Sequence, residues 1–178
     1  MKQAVIDIGS NSMRLTVYET TETGGFTILF KDKVMAGLAG YVEDGALSLD
    51  GIARAVLGLM SFRNTLEALN ITQVSVFATA SLRNITNTEE VLQAIQEASG
   101  FSVRVLSGQE EATFDYYGAI QSAPPDSGLL ADVGGGSTEL VQFRDREVIC
   151  ADSIAIGSLN LYNRFVAGIL PTRAQVRK

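Results

Sequence analysis

The stretch Val5-Ile-Asp-Ile-Gly-Ser-Asn-Ser-Met-Arg-Leu15 contains two alternating apolar segments, separated by the polar residues 9–12. Alternation on either side of a short glycine-containing turn is typical of a β-hairpin. If residues 9–12 form the turn, Asp7 lies directly opposite Arg14 in the neighbouring strand. The sequence therefore predicts a hairpin that carries two opposite charges close to its tip.

A second stretch, Asp132-Val-Gly-Gly-Gly-Ser-Thr-Glu-Leu140, repeats this design later in the chain. With residues 134–137 as the turn, Asp132 lies opposite Glu139, so two carboxylates share one face. An offset of 125 positions aligns the two hairpins through five pairs of identical or similar residues. These pairs are Asp7 with Asp132, Gly9 with Gly134, Ser12 with Ser137, Leu15 with Leu140, and Tyr18 with Phe143. The chain therefore contains a weak internal repeat.

Residues 9–12, the first tip, and residues 134–137, the second tip, are both rich in Gly and in small polar side chains. Successive backbone N–H groups in such turns form concave anion sites that bulky side chains would obstruct. The predicted phosphate-binding residues of the hairpins are Ser10, Asn11, Ser12, Arg14, Gly134, Gly135, Gly136, Ser137 and Thr138. Arg14 has two predicted roles, which are neutralising Asp7 and binding a phosphate through its planar guanidinium. Tips that face each other would clamp a phosphoryl group between them.

The opposed carboxylates of the second hairpin predict a metal site. Like charges that face each other across an antiparallel pair are destabilising unless something binds between them. We expect a divalent cation at Asp132 and Glu139, with Asp7 as a further candidate ligand. Oxygen ligands favour Mg²⁺ or Mn²⁺ over zinc. The sequence contains no His, which excludes His-ligated metal sites and His-based catalytic triads.

Outward from the first hairpin, the pattern predicts the element order β-β-β-α-β-α-β-α. A three-stranded meander is followed by a helix from about Ser48 to Leu69, which Asn70 ends. Two capping-box patterns, Thr86 with Glu89 and Ser107 with Glu110, predict the starts of the next helices. This order fits an α/β, ribonuclease H-like domain with a mixed sheet and helices on its faces.

Domain boundaries follow from the repeat. Residues 1–123 would complete one ribonuclease H-like domain, and the Pro, Asp, Ser and Gly content of residues 124–128 predicts a linker. Residues 129–178 would form the first part of a second such domain. A helix predicted near Pro171 has no room to pack before the chain ends, so we expect the second domain to be incomplete.

Composition narrows the functional classes. The 178 residues are 46% hydrophobic, which is enough for a packed core. No apolar run approaches the roughly 18 residues that cross a bilayer, and no secretory leader is present, so we expect a cytoplasmic protein with no membrane partner. Twenty acidic and 14 basic residues give a net charge of −6, without a basic stripe. Duplex nucleic acid is therefore a poor partner.

Four stretches of the chain resemble motifs of the exopolyphosphatase/guanosine pentaphosphate phosphatase family, and they occur in the family's order. They are residues 5–15, Ala78-Thr-Ala-Ser-Leu-Arg-Asn84, Ser107-Gly-Gln-Glu-Glu-Ala112 and residues 132–140. That family belongs with the actin-like ATPases, a superfamily of sugar kinases, heat-shock chaperones and actin whose two ribonuclease H-like domains enclose a phosphate-binding cleft. The resemblance implies release of terminal phosphate from polyphosphate or guanosine pentaphosphate, and a family second domain that continues beyond this chain.

The resemblance also implies that Glu111 orients or deprotonates the water that attacks phosphorus. The residues favour the same choice, because Glu110 occupies the capping-box position whereas Glu111 has no structural role there. Arg83 and Asn84 follow a predicted strand, at the end where ligands bind in open α/β sheets. We expect them to hold the next phosphate.

Two alternatives to hydrolysis stay open. One is a module that binds polyphosphate or a nucleotide without cleaving it. The other is an actin-like, nucleotide-dependent kinase or ATPase, because paired hairpin tips are shared by that superfamily. Glu111 and the preceding Ser107-Gly108 favour hydrolysis, since the resemblance implies that such kinases usually use an Asp base. A homodimer is a further expectation, in which a partner chain covers exposed strand edges.

Overall fold

The computed structural model describes residues 1–22, 24–122 and 125–177. The chain forms two compact units, Met1–Val105 and Leu106–Lys178. Both combine strands with helices, so the predicted α/β class with a mixed sheet is confirmed.

The first unit is built on a five-stranded mixed sheet in the order β3-β2-β1-β6-β7. The strands of this unit, including a separate small hairpin β4-β5, are β1 (Lys2–Ile8), β2 (Met13–Thr20), β3 (Phe26–Val34), β4 (Val42–Glu43), β5 (Ala46–Leu47), β6 (Val74–Ala78) and β7 (Val103–Val105). Strands β1, β2 and β3 form the predicted antiparallel meander, while β6 pairs in parallel with both β1 and β7. Parallel pairing of β1 with β6 makes both strands end at the same edge of the sheet.

Helices α1 (Leu49–Ala68), α2 (Ala80–Arg83) and α3 (Thr88–Ser99) complete the first unit, together with a 3-10 helix at Leu38–Tyr41. The alternating apolar side chains of β1 and β2 share one buried cluster with the apolar stripe of α1. Helix α1 has nearly the predicted bounds: Ser48 caps it by accepting a hydrogen bond from Gly51 N, and Asn70 follows its end with φ 55°. Among the described residues, no helix has both the length and the apolar character needed to cross a bilayer.

The predicted capping box of Thr86 and Glu89 is wrong. Helix α3 begins one residue later than this pattern predicts, at Thr88, and the preceding Asn87 makes no side-chain cap. Instead, Asn87 Oδ1 accepts from Leu47 N at 2.9 Å, and its Nδ2 donates to Leu47 O at 3.0 Å. These bonds hold the residue before the helix against a distant hairpin strand, a contact that a local pattern does not reveal.

The second unit is an antiparallel sheet in the order β10-β9-β8. Its elements are α4 (Gly108–Ala119), β8 (Gly128–Val133), β9 (Thr138–Arg144), β10 (Glu147–Ile154), α5 (Ser158–Phe165) and α6 (Arg173–Val176), with a 3-10 turn at Ile120–Ser122. Ala112 and Tyr116 of α4 are buried against Val141 and Phe143 of β9. The rings of Tyr116 and Phe143 lie 5.0 Å apart, which makes α4 part of this core.

The division between units differs from the boundary expected at residues 124–128, of which residue 124 lies outside the described residues. In the structure the units divide between Val105 and Leu106. The physical reason is the buried face of α4, which packs on the second sheet. Helix α4 therefore shares a compact unit with the second hairpin.

Candidate functional site

The first tip connects β1 to β2 in the predicted register, with Asp7 opposite Arg14. Two tip carbonyls accept hydrogen bonds from the first turn of the 3-10 helix and the residue before it. These are Ser10 O from Ala39 N at 3.0 Å and Asn11 O from Gly37 N at 2.8 Å. The C=O and N–H of a trans peptide point in opposite directions, so the amides of Asn11 and Ser12 point away from that segment. These hydrogen bonds therefore hold the first tip with two backbone N–H groups, those of Asn11 and Ser12, pointing outward.

Of the two roles predicted for Arg14, pairing with Asp7 is not formed. Both side chains are described, they make no ion pair, and Arg14 is exposed. Burial raises the pKa of the Asp7 carboxyl, and the positive charge of Arg14 only partly lowers it. The guanidinium therefore lies in solvent near the tip, as the phosphate-binding role requires.

The raised pKa of Asp7 predicts a pH-dependent stability. Below the ordinary pKa of 3.8, Asp7 is protonated in both the folded and the unfolded chain. As the pH rises from there through the raised pKa of the folded chain, the unfolded chain loses the proton first, so the folded state loses stability relative to it. We expect Asp7→Asn to raise Tm at pH 7 and to change it little at about pH 3, in thermal unfolding at both values. The control is Asp126→Asn, at an exposed position. An Asp7→Asn variant less stable than the parent at pH 7 would contradict this prediction.

Arg83 and Asn84 lie at the same edge of the first sheet as the first tip. Arg83 is the last residue of α2 and is half-buried, while Asn84 follows it and is exposed. Ser81 Oγ donates to Ile8 O at 2.5 Å, which ties α2 to the end of β1 just before the tip. The structure therefore brings the predicted phosphate-binding residues of the first unit together.

The second tip connects β8 to β9, and Asp132 lies opposite Glu139 as predicted. Directly opposed residues share one face of a sheet, so the two carboxylates, called the acid pair below, lie on the same side. Gly134 N donates to Ser137 O at 2.9 Å and closes the turn. The predicted register of both hairpins is thus confirmed.

Helix α5 fixes the orientation of the peptide groups in the second tip. Three consecutive carbonyls accept hydrogen bonds from the first residues of that helix. These are Gly134 O from Ser158 N at 2.9 Å, Gly135 O from Leu159 N at 2.9 Å, and Gly136 O from Asn160 Nδ2 at 3.0 Å. Peptide geometry then directs the amides of Gly135, Gly136 and Ser137 to the opposite side, where none has an acceptor among the described residues. Such a row of N–H groups is suited to an anion.

Gly157 allows this contact between α5 and the second tip. A Cβ atom at Gly157 would lie 2.5 Å from the carbonyl carbon and oxygen of Gly135 and 2.6 Å from Gly136 N. All three contacts are with backbone atoms, which have no flexible end to move aside. Sequence analysis did not single out Gly157, because a glycine before a helix indicates a cap and carries no signal of a tertiary contact.

The hydroxyls at the tips differ in their surroundings. Ser10, Ser12 and Ser137 are 9%, 8% and 3% exposed, and their side chains form no hydrogen bond with the described residues. Thr138 differs, because its Oγ1 donates to Ile156 O at 2.5 Å. Its proton is directed to Ile156 O in this structure, and the role of Thr138 as a phosphate donor stays a prediction.

The acid pair has one buried member. Glu139 is 2% exposed, whereas Asp132 is exposed. Ser153, opposite Glu139 in β10, donates from Oγ to Glu139 Oε1 at 2.7 Å. No described Lys or Arg forms an ion pair with Glu139. Buried charges usually have an ionic partner or coordinate a metal, so this arrangement fits a cation.

The described residues contain no group of three or more His, Cys, Asp or Glu arranged to hold a metal ion. Asp132 and Glu139 belong to the second unit, and Asp7 belongs to the first. The donor set of the second unit therefore fits a cation that takes two carboxylates and completes its shell with water and phosphate oxygens. Mg²⁺ and Mn²⁺ commonly bind in this way.

Helix α4 begins at the end of the second sheet that carries the tip. Its capping box is confirmed, because Ser107 Oγ accepts from Glu110 N at 3.2 Å and Glu110 Oε2 accepts from Ser107 N at 2.9 Å. Gly108 lies so close to Ser153 that a Cβ at Gly108 would be 2.5 Å from Ser153 Cβ. The start of α4 thus lies beside the strands that contain the acid pair and Ser153. Glu111 lies one turn beyond Gly108 in the same helix.

The fold is α/β, of the ribonuclease H-like, actin-like type, and each unit contains one glycine-containing hairpin. Residues 16–178 match the model of the Ppx/GppA phosphatase family. The chain belongs to that family.

Solved structures agree with this assignment. The exopolyphosphatase from Cytophaga hutchinsonii matches with a TM-score of 0.89 and 25% identity, over 98% of this chain and 56% of that one. The Ppx/GppA family member from Aquifex aeolicus matches with a TM-score of 0.79 and 30% identity, over 99% and 58%. The ethanolamine utilization protein EutJ from Carboxydothermus hydrogenoformans matches with a TM-score of 0.57 and 16% identity, over 92% of this chain and 55% of that one. This match shows a shared fold alone. The chain thus spans less than two thirds of these structures.

Proposed function

We propose that the protein is a phosphohydrolase that removes the terminal phosphate from inorganic polyphosphate or guanosine pentaphosphate by metal-assisted attack of water. Membership of a phosphatase family and similarity to an exopolyphosphatase support this proposal. The observation that carries it is the geometry of the second tip. Helix α5 donates hydrogen bonds to three carbonyls of this tip, so three backbone N–H groups point outward beside two carboxylates.

Phosphate binding follows from the two tips. The amides of Gly135, Gly136 and Ser137 would donate to the oxygens of the phosphate that is removed. In the first unit, the amides of Asn11 and Ser12 and the side chains at its edge would bind phosphate in the same way; those side chains are Ser10, Ser12, Arg14, Arg83 and Asn84. Phosphoryl transfer has a loose transition state, so positioning and charge stabilisation supply most of the catalysis.

Glu111 would act on the attacking water. Its carboxylate accepts a proton while the water oxygen forms a bond to the terminal phosphorus. The bond from that phosphorus to the bridging oxygen breaks, the bridging oxygen keeps the electron pair, and the products are orthophosphate and a chain one phosphate shorter. A Mg²⁺ or Mn²⁺ at Asp132 and Glu139, with Asp7 as a further candidate, would supply neutralisation of the phosphate charge.

The test is phosphate release by this chain from polyphosphate and, separately, from guanosine pentaphosphate, with Mg²⁺ and with excess EDTA. We expect Mg²⁺-dependent release of orthophosphate from at least one substrate. Binding of a substrate by calorimetry with no release would favour the binding module. Consumption of ATP with transfer to an acceptor would favour the kinase alternative.

The remaining expectations are part of the same proposal. We place the protein in the cytoplasm, with no duplex nucleic acid or membrane partner. A homodimer is supported by β3, an edge strand of the first sheet whose Phe26, Ile28, Leu29 and Phe30 are exposed. Such an edge is a template for pairing with another chain.

A further inference from the structure

Ser153 has a contact that the proposed mechanism does not use. Its hydroxyl donates to Glu139 Oε1 at 2.7 Å, and the two residues are directly opposed in β10 and β9. Glu139 is 2% exposed and forms no ion pair with a described Lys or Arg. This bond is therefore a specific restraint on a buried carboxylate.

The other side of Ser153 is closed by α4. Gly108, the first residue of that helix, leaves no room for a Cβ, which would lie 2.5 Å from Ser153 Cβ and 3.2 Å from its Oγ. Ser153 thus contacts the start of α4 on one side and Glu139 on the other. We call this arrangement the Gly108–Ser153–Glu139 stack. It connects the helix that carries Glu111 to the acid pair.

A glutamate side chain has several rotatable bonds, and ordering such a long side chain costs conformational entropy. A carboxylate that must share a cation with Asp132 gains affinity if that ordering is already complete. Hydrogen-bond partners behind a metal ligand have this effect in known sites, where their loss typically weakens metal affinity or activity about 10- to 100-fold.

We propose that Ser153 is a positioning residue, which fixes Glu139 Oε1 so that the other oxygen is presented to a divalent cation shared with Asp132. The inference rests on the proposed function for its metal. Gly108 belongs to the same arrangement, because only a glycine at this position allows the start of α4 to pack against Ser153. Neither residue touches the substrate.

The experiment compares the parent chain, Ser153→Ala, Glu139→Gln and the double variant by calorimetric titration with Mn²⁺. We expect Ser153→Ala to weaken Mn²⁺ binding about 10-fold. In the Glu139→Gln background the serine substitution should have no further effect, because its action passes through that carboxylate. Ser127→Ala, in an exposed turn of the same unit, is the matched control and should bind Mn²⁺ as the parent does.

Unchanged Mn²⁺ affinity in Ser153→Ala would overturn the inference, and so would a parent chain that binds no Mn²⁺. An equal loss with and without Glu139 would show a general structural effect and overturn it as well. If Ser153→Ala does not fold, Ser153→Cys keeps a similar shape with a weak donor and takes its place. These binding results do not depend on turnover, so a chain that binds Mn²⁺ and releases no phosphate would reject the proposed function alone.

Discussion

Glu111→Gln is expected to lower phosphate release by about 10²- to 10⁴-fold, the range that a general base typically contributes. The amide keeps the size of the side chain but does not accept the proton of the attacking water. Substrate binding should change little, because the outward amides of the second tip are untouched. The measurement is kcat by phosphate release together with substrate affinity by calorimetry.

Glu110→Gln is the matched control for that experiment. It makes the same change of charge one residue away, and Gln also serves at this position of a capping box. We expect it to retain turnover within a few-fold and to leave α4 intact. Near-normal turnover in Glu111→Gln, or an equal loss in both variants, would remove Glu111 from the role of base.

Gly157→Ala should lower kcat/KM by at least about 100-fold, because the added methyl displaces the second tip. The Cβ would lie 2.5 Å from backbone atoms of Gly135, so either the tip or the start of α5 must move. Loss of a single aligned donor to developing negative charge costs about 10²- to 10³-fold in known enzymes, and here three amides lose their alignment. The overpacking should also cost about 1–3 kcal/mol of unfolding free energy.

Gly118→Ala is the control for Gly157→Ala. Apart from its chain neighbours and the backbone of α4 itself, no atom lies within 4 Å of a Cβ built at Gly118, which is on the exposed side of the helix. We expect normal kcat/KM and up to about 1 kcal/mol of added stability from the better helix propensity of Ala. Kinetics and chemical denaturation of both variants make the comparison, and wild-type kinetics in Gly157→Ala would contradict the account of the second tip.

The hairpins were predictable because their information is local. Alternation places one side chain on each face in turn, and the length of a turn then fixes which residues oppose each other. Asp7 opposite Arg14 and Asp132 opposite Glu139 follow from counting alone. The capping box at Ser107 is also local, and it is confirmed for the same reason.

The contacts that shape the site were not predictable, because they join residues far apart in sequence. The apolar face of α4 reads the same whichever sheet it packs against, so its partner was not visible in the sequence. Gly157 and Ser153 act through backbone and side chains of another element. Asp7 and Arg14 are correctly opposed, yet burial of the acid and exposure of the base are properties of the folded chain.

Helix α4 is buried on the second sheet, in the unit that also contains β8, β9 and α5. The Glu111 carboxylate proposed to act on water, the acid pair and the second tip therefore belong to one compact unit. The small core formed by Ala112, Tyr116, Val141 and Phe143 is then what sets the mutual alignment of these three parts.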